Sequence, residues 1–342
     1  MKKQHVLLVT FLTVAMLLPA CAPATNDCAR EDVFCVGLVT GVGKINDKSF
    51  NQSAWEAVQQ TEQELGARIQ YIETIDAKDY AENIATFGDD GYDVIVTVGS
   101  ALHESTVAAA TTYPNIDFIG VDQFQAETVD GVAGLNFPED HAGFLVGALA
   151  GLMSESHKIG AVCATDAVPS IWRFGEGFKA GAVYADQFLG TLTEVIVVYH
   201  SNDARAFTDP EWGQRTAQSI MDQGADAIFG CGGLTGHGAI TAAAEAGVYV
   251  IGADTDQYLT QPEAAPRMLT SAMKLITPGV FELIKLSKED NFPSGNYFGD
   301  VGYAPYHELE DDVPNAVKAM MEQIRAGLLD GSITTNVSSV SP

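Results

Sequence analysis

Residues 33–66 read VFCVGLVTGVGKINDKSFNQSAWEAVQQTEQELG, and the three parts of this stretch decide the fold. The apolar, β-branched run at 33–39 has the character of a buried strand. A glycine-containing loop with Asn46, Asp47 and Ser49 follows; residues 52–65 then carry apolar side chains at helical spacing, closed by Gly66. A buried strand feeding an amphipathic helix is the repeating unit of a parallel sheet.

The unit recurs along the chain. Strand-like runs fall at 69–72, 94–98, 117–121 and 131–135, then at 158–162, 194–199, 227–229 and 248–251. Residues 79–89, 100–111, 139–154, 175–186, 213–224 and 236–246 show helical periodicity between them. The rhythm divides into two similar halves, so the expected fold class is α/β, with two Rossmann-like lobes built on parallel sheets. A chain of 342 residues also favours two lobes over one spherical core, and two lobes leave a cleft between them.

After residue 254 the count changes: 268–274 reads as another strand, with helices at 278–287 and 314–329. Three hinge crossings are expected where Pro, Gly, Asn and Asp interrupt the periodic segments, at 136–138, 256–261 and 291–296. These boundaries assign 33–136 with 258–291 to lobe 1, 137–257 with 292–330 to lobe 2, and 331–342 to a C-terminal tail.

With 45 Asp and Glu against 18 Lys and Arg, the formal charge is -27, yet 46% of the residues are hydrophobic and only 18% charged. That balance excludes a disordered acidic polymer. It also argues against nucleic acid as a partner, because phosphate backbones are held by clusters of Lys and Arg. Lys2 and Lys3, the apolar run at 6–18 and Leu18-Pro19-Ala20-Cys21 form an export signal over 1–20. A cysteine directly after small residues at the cleavage point has the form of a lipobox, with Cys21 lipidated and 21–32 serving as a flexible leash.

Cys28, Cys35, Cys163 and Cys231 remain, an even number in a chain sent out of the cytosol. Cys28 and Cys35 can close a small loop. Cys163 and Cys231 each end a strand-like run and are equally compatible with a bridge, if those strands are neighbours, or with two buried thiols. The seven histidines are scattered and no metal-ligand spacing occurs.

Ligands of open parallel sheets bind at the carboxyl ends of the strands. After the first strand, Asp47 or Ser49 suits a helix N-cap, whereas Phe50 stands where an aromatic face can meet a ring. Gly120-Val-Asp122 and Gly252-Ala-Asp254 end corresponding strands of the two halves, so one carboxylate from each would face the cleft. Gly41-x-Gly43 lacks the rest of a dinucleotide fingerprint. The two acids suit hydrogen bonds to vicinal hydroxyls better than hydrolysis, since no nucleophile elbow or Ser/His/Asp order accompanies them.

Val39-Thr-Gly-Val-Gly-Lys-Ile-Asn-Asp-Lys-Ser-Phe-Asn-Gln-Ser-Ala-Trp55, Phe207-Thr-Asp-Pro210, Gly224-Ala-Asp-Ala-Ile-Phe229, Gly232-Gly-Leu-Thr-Gly236 and Val250-Ile-Gly-Ala-Asp-Thr-Asp-Gln257 together resemble the basic membrane protein family. Its members are substrate-binding lipoproteins of ABC importers, and purine-nucleoside receptors form its best-understood branch. The resemblance runs from about residue 33 to 329 and implies the type I periplasmic-binding-protein fold. It further implies an extracytoplasmic, lipid-anchored monomer without cofactor or metal, whose partners are a nucleoside, an ABC permease and its ATPase subunits.

Carried onto this chain, the resemblance puts Asn46 and Asp47 at the nucleobase edge and Phe50 against its face, with Phe207 or Phe174 opposite. Asp122, Asp254 and Lys274 would hold the ribose hydroxyls, and the backbone around Gly233 would approach the sugar closely. The chain departs from the family at Gly41, where relatives usually carry an aspartate. A sugar or a flavin-like ring is the alternative ligand for the same cleft. Sugar-responsive transcription regulators share such lobes but need a basic helix-turn-helix where this chain has a signal and leash. A nucleoside or glycoside hydrolase needs an acid, a base and often a metal cluster, and Asp254 and Asp256 have no matching set.

Overall fold

The computed structural model describes residues 27–30, 32–202 and 204–342; the expected signal, Cys21 and most of the leash lie outside the described residues. The chain begins β1 (Cys35–Val42), α1 (Phe50–Leu65), β2 (Arg68–Thr74), α2 (Tyr80–Asp89), β3 (Val94–Val98), α3 (His103–Thr112), β4 (Asp117–Val121) and β5 (Val132–Asn136). These strands form a parallel sheet in the order β2-β1-β3-β4-β5. Helices cover both of its faces, so β3, β4 and β5 read as continuous apolar runs without polar alternation.

A second parallel sheet, β7-β6-β8-β9-β10, follows. It is made by α4 (Glu139–Met153), β6 (Lys158–Cys163), α5 (Pro169–Leu189), β7 (Glu194–Tyr199), α6 (Pro210–Met221), β8 (Ala227–Cys231), α7 (Gly233–Glu245), β9 (Tyr249–Asp254), α8 (Gln257–Thr260) and β10 (Met268–Lys274). The chain then returns to the first lobe. There α9 (Ile276–Lys288) sets Ile276, Val280, Leu283 and Ile284 into the core around Val36, Val96 and Ile119, and β11 (Gly295–Phe298) pairs with β5. Finally β12 (Val301–Tyr303) lies antiparallel to β10, and α10 (Asn315–Asp330) packs Met321, Ile324 and Leu328 into the second core.

The first crossing, between Asn136 and Glu139, falls where the turn residues predict it. The other two do not. Because β10 pairs with β9, residues 258–274 belong to lobe 2, and because β11 pairs with β5, residues 292–298 belong to lobe 1. The chain crosses at Leu275 and again at Gly299-Asp300, while residues 256–261 carry α8 within lobe 2 and residues 291–296 lead into β11 within lobe 1. Leu275 needs no breaker because the crossings bond to one another. Gly299 N–H donates to the Asn136 carbonyl at 2.9 Å, and Leu275 N–H donates to the Asp300 carbonyl at 3.0 Å.

Both pairs of cysteines are bonded. Cys28–Cys35 closes the loop before β1, with Cα atoms 5.7 Å apart. Cys163 and Cys231 are direct register partners at the ends of β6 and β8 and form the second bridge, Cα to Cα 4.5 Å.

Close approach of α4 and α5 positions the site. A Cβ at Gly143 or Gly147 would collide with the backbone carbonyl of Phe174 or Phe178, and one at Gly177 or Gly181 with that of Asp140 or Phe144. Glycine on both helices therefore lets the axes come together until the first turn of α4 meets the first turns of α5.

Candidate functional site

The carboxyl ends of the two sheets face each other, and Lys274 lies where they meet. Its side chain is 1% exposed at the end of β10. The ammonium sits 2.6 Å from both oxygens of Asp122, which follows β4 in the other lobe, and 3.1 Å from Glu139 Oε1 at the start of α4. Arg173, on α5, pairs with the other Glu139 oxygen. Burial alone would lower the lysine's pKa; Asp122, Glu139 and Asp254 outweigh it and push the ammonium up, so it stays charged.

Three aromatic rings surround that charge. Phe50, first residue of α1, has its centroid 4.9 Å from Nζ; Phe137 in the first crossing is at 5.0 Å and Phe174 on α5 at 6.0 Å. A cation at these distances is favoured by the ring quadrupole. Phe50 is half-buried, whereas Phe174 is 1% exposed and rests edge-on against Phe229 in the lobe 2 core. Phe207 is not one of the rings over the ammonium and packs against the lobe 2 core. Half-buried before α6, it accepts the Leu234 N–H on its carbonyl at 2.9 Å. That carbonyl would lie 2.8 Å from a Cβ on Gly233, whose φ of +55° also favours glycine, so Phe207 and Gly233 share one wall of lobe 2.

Asp254, buried at the end of β9, accepts a hydrogen bond from Ser49 Oγ at 2.8 Å, across the lobe boundary. Burial raises its pKa; the Lys274 ammonium and the Ser49 bond pull it back, and Asp122 raises it again. Asp47, by contrast, serves its own helix. Its oxygens accept the backbone N–H groups of Ser49, Asn51 and Gln52 at 2.9–3.1 Å and the Asn51 amide at 3.0 Å. It thus caps α1, and Ser49, whose side chain makes no capping bond, is free to reach Asp254. Burial pushes the Asp47 carboxyl up to about 6 against those backbone donors. Asn46 is exposed in the turn before it.

Glu139 and Arg173 escape the sequence reading, and Ser49 enters it only as a cap candidate. Glu139 and Asp140 in the first turn of α4 satisfy the helix dipole, and Glu139 carries no other signal. Only its place directly after the turn residues at 136–138 distinguishes it. It is 1% exposed, and burial pushes its carboxyl up to about 7, with Lys274 and Arg173 opposing that rise and Asp122 adding to it. Among the described residues, no group of His, Cys, Asp and Glu could hold a metal ion. Nor is any helix among them long and apolar enough to cross a membrane.

Two six-stranded, parallel-dominated sheets with buried polar groups between their carboxyl ends define a two-lobed binding protein of the type I periplasmic class. Residues 34–298 match the Bmp family, described as ABC transporter substrate-binding protein PnrA-like, and the chain belongs to that family. It is 29% identical to the CD4+ T-cell-stimulating antigen of Listeria innocua, over 97% of this chain and 98% of that protein. It is 26% identical to the ABC transporter nucleoside-binding protein BmpA of Lactococcus lactis, over 97% and 99%. An ABC transporter solute-binding protein from Aeropyrum pernix shares the fold, with a TM-score of 0.79 at 24% identity over 88% of this chain and 92% of that one. The protein is an ABC transporter substrate-binding protein.

Proposed function

We propose that this protein is held by lipid on Cys21 at the outer face of the cytoplasmic membrane or in the periplasm. There it captures a purine nucleoside for an ABC permease and its ATPase subunits. The observation that carries the ligand is the grouping of Lys274, Asp122 and Asp254 at one point under the Phe50 and Phe174 rings. A fixed ammonium with strand-end carboxylates from both lobes can donate to and accept from two neighbouring ribose hydroxyls. Neighbouring rings suit a flat, uncharged base, with Phe207 and Gly233 completing the wall in lobe 2 and Asn46 able to reach the base edge from its exposed turn. Both cations of the site already face carboxylates, which favours a neutral ligand over a phosphorylated one.

Binding and release would proceed by rotation of the lobes about the three bonded crossings. The ligand selects the closed state by touching both lobes at once. Denaturing freshly purified, undialysed protein and identifying the released small molecules by mass spectrometry tests the reading. A purine nucleoside is expected; recovery of only a sugar or a flavin overturns it, and turnover of added nucleoside would replace binding with hydrolysis.

A further inference from the structure

Lys274 makes two different ion pairs. Its partner Asp122 belongs to lobe 1, while Lys274 and Glu139 both belong to lobe 2, on β10 and α4. Rotation about the crossings moves Asp122 relative to the ammonium but carries Glu139 with it. Lys274 also immediately precedes the second crossing, as Glu139 immediately follows the first, so their contact ties two hinge segments together on the lobe 2 side. Glu139 is itself fixed: Arg173 holds its other oxygen, and glycine contacts between α4 and α5 bring the two helix starts together.

We infer that Glu139, braced by Arg173, is the positioning residue that keeps the Lys274 ammonium charged and aimed into the cleft when the lobes are apart and Asp122 has withdrawn. Ligand then meets a donor already in place, and closure adds the Asp122 contact without reorganising the lysine. The charged groups around Glu139 are Lys274 from β10, Arg173 from α5 and Asp122 after β4, with Asp140 and His141 beside it on α4. Of these, Lys274 and Arg173 act on its two oxygens directly.

The inference rests on the cleft reading above but not on the identity of the ligand, so the decisive measurement uses none. Reductive methylation with labelled formaldehyde modifies only the neutral amine, and mass spectrometry of the peptide bearing Lys274 gives its rate across pH in the ligand-free protein. Glu139→Gln is expected to speed modification by at least about tenfold, the effect of a lysine pKa one unit lower, and to move the pH midpoint down. Glu139→Asp should restore most of the protection. Arg173→Met, which leaves Glu139 in place but unbraced, should give an intermediate rate, and it supplies the answer if Glu139→Gln does not fold. Asp122→Asn should matter less than Glu139→Gln. Unchanged modification in Glu139→Gln, or a larger effect of Asp122→Asn, overturns the inference.

Titration with inosine, guanosine and adenosine then separates the two readings. Weaker nucleoside binding by Glu139→Gln supports both. Faster methylation in a protein whose wild type binds none of the three upholds Glu139 as the positioning residue and overturns only the nucleoside.

Discussion

The two lobes end their ligand-facing strands in the same way, and the ends do different work. Lobe 1 closes β4 with Gly120-Val121-Asp122, and lobe 2 closes β9 with Gly252-Ala253-Asp254. Both aspartates adopt the left-handed conformation, φ 59° and 67°. Behind each, a glutamine side chain occupies the space that a Cβ on the glycine would need, Gln123 at Gly120 and Gln257 at Gly252. Gln123 spends its amide inside lobe 1, on the Thr97 and Gly99 carbonyls at 3.2 and 3.1 Å. Gln257 accepts the Ala253 N–H within lobe 2 at 3.1 Å but turns its amide across the boundary to the Lys48 carbonyl at 3.5 Å. Thr260 Oγ1 donates to that same carbonyl at 2.9 Å. One turn is thus locked into its own lobe and presents a carboxylate to the hinge lysine. Its counterpart latches the lobes together through Lys48 and Ser49. Repetition of a local motif fixes where a carboxylate points; the neighbours decide whether it serves the hinge or the latch.

The largest blow to the hinge side is Lys274→Met, which leaves Asp122, Glu139 and Asp254 around an uncharged chain. Removing one member of a buried ion pair costs about 3–5 kcal/mol, and chemical denaturation should register a loss of that order; a loss under about 1 kcal/mol means the carboxylates are not buried against the lysine.

The rings divide in the same manner. Phe174→Ala opens a cavity in the lobe 2 core and should cost about 3–5 kcal/mol of stability. Phe50→Ala, at a half-buried ring, should cost less stability than Phe174→Ala and weaken nucleoside binding by about 1–3 kcal/mol, one or two factors of ten. Calorimetric titrations that show no loss for Phe50→Ala remove that ring from the site.

Asp122→Asn should be more damaging than Asp254→Asn, by about 1–3 kcal/mol. The first strips the lysine of a two-oxygen partner, while the second leaves a Ser49 hydrogen bond that an amide can still accept. Equal losses in urea would erase the distinction between hinge and latch.

Acidity offers a further handle. The Glu139 carboxyl stands at about 7 in the folded chain, above its ordinary 4.5, and Asp47 at about 6, above 3.8. Folded protein therefore binds more protons than unfolded chain between those limits, so these groups stabilise the fold at low pH and their contribution is lost as pH rises through about 4 to 7. The melting temperature should fall between about pH 4 and pH 7, and Glu139→Gln should flatten the upper part of the curve. An unaltered slope in that variant assigns the dependence elsewhere.

The smallest expected effect is at the latch. Thr260→Val deletes one hydrogen bond to Lys48, worth about 1 kcal/mol, and should raise the open population without touching the hinge. Small-angle scattering of ligand-free protein should show a larger radius of gyration; an identical curve would mean that this bond does not hold the lobes.

Strands such as β3 and β4 were legible to the residue because a largely apolar run is bounded by polar residues or glycine. β11 and β12 were not. They are four and three residues long, lie at sheet edges, and take their structure from pairing with β5 and β10. The displaced crossings have the same origin: Leu275 carries no turn signal, and its path follows from hydrogen bonds to chain that lies far away in sequence. At the site, residues at strand ends could be named in advance since topology sends them to one place. Glu139 and Arg173 could not, because each reads as an ordinary polar residue in a helix's first turns until α4 and α5 are packed together. Asp47 was legible as a cap, and the four hydrogen bonds it accepts fill that role.

The Cys28–Cys35 bridge has a mechanical consequence. Tension applied to the chain before Cys28 is delivered through the sulfurs to the first residue of β1, whose N–H is also held by the Asp93 carboxylate at 2.7 Å. β1 lies between β2 and β3 and is bonded to both. A pull along it must shear two ladders at once, whereas a pull on an edge strand unzips one bond at a time. A tether entering there would load an inner strand of the lobe 1 sheet, separated by two strands from β5, from which the first crossing leaves.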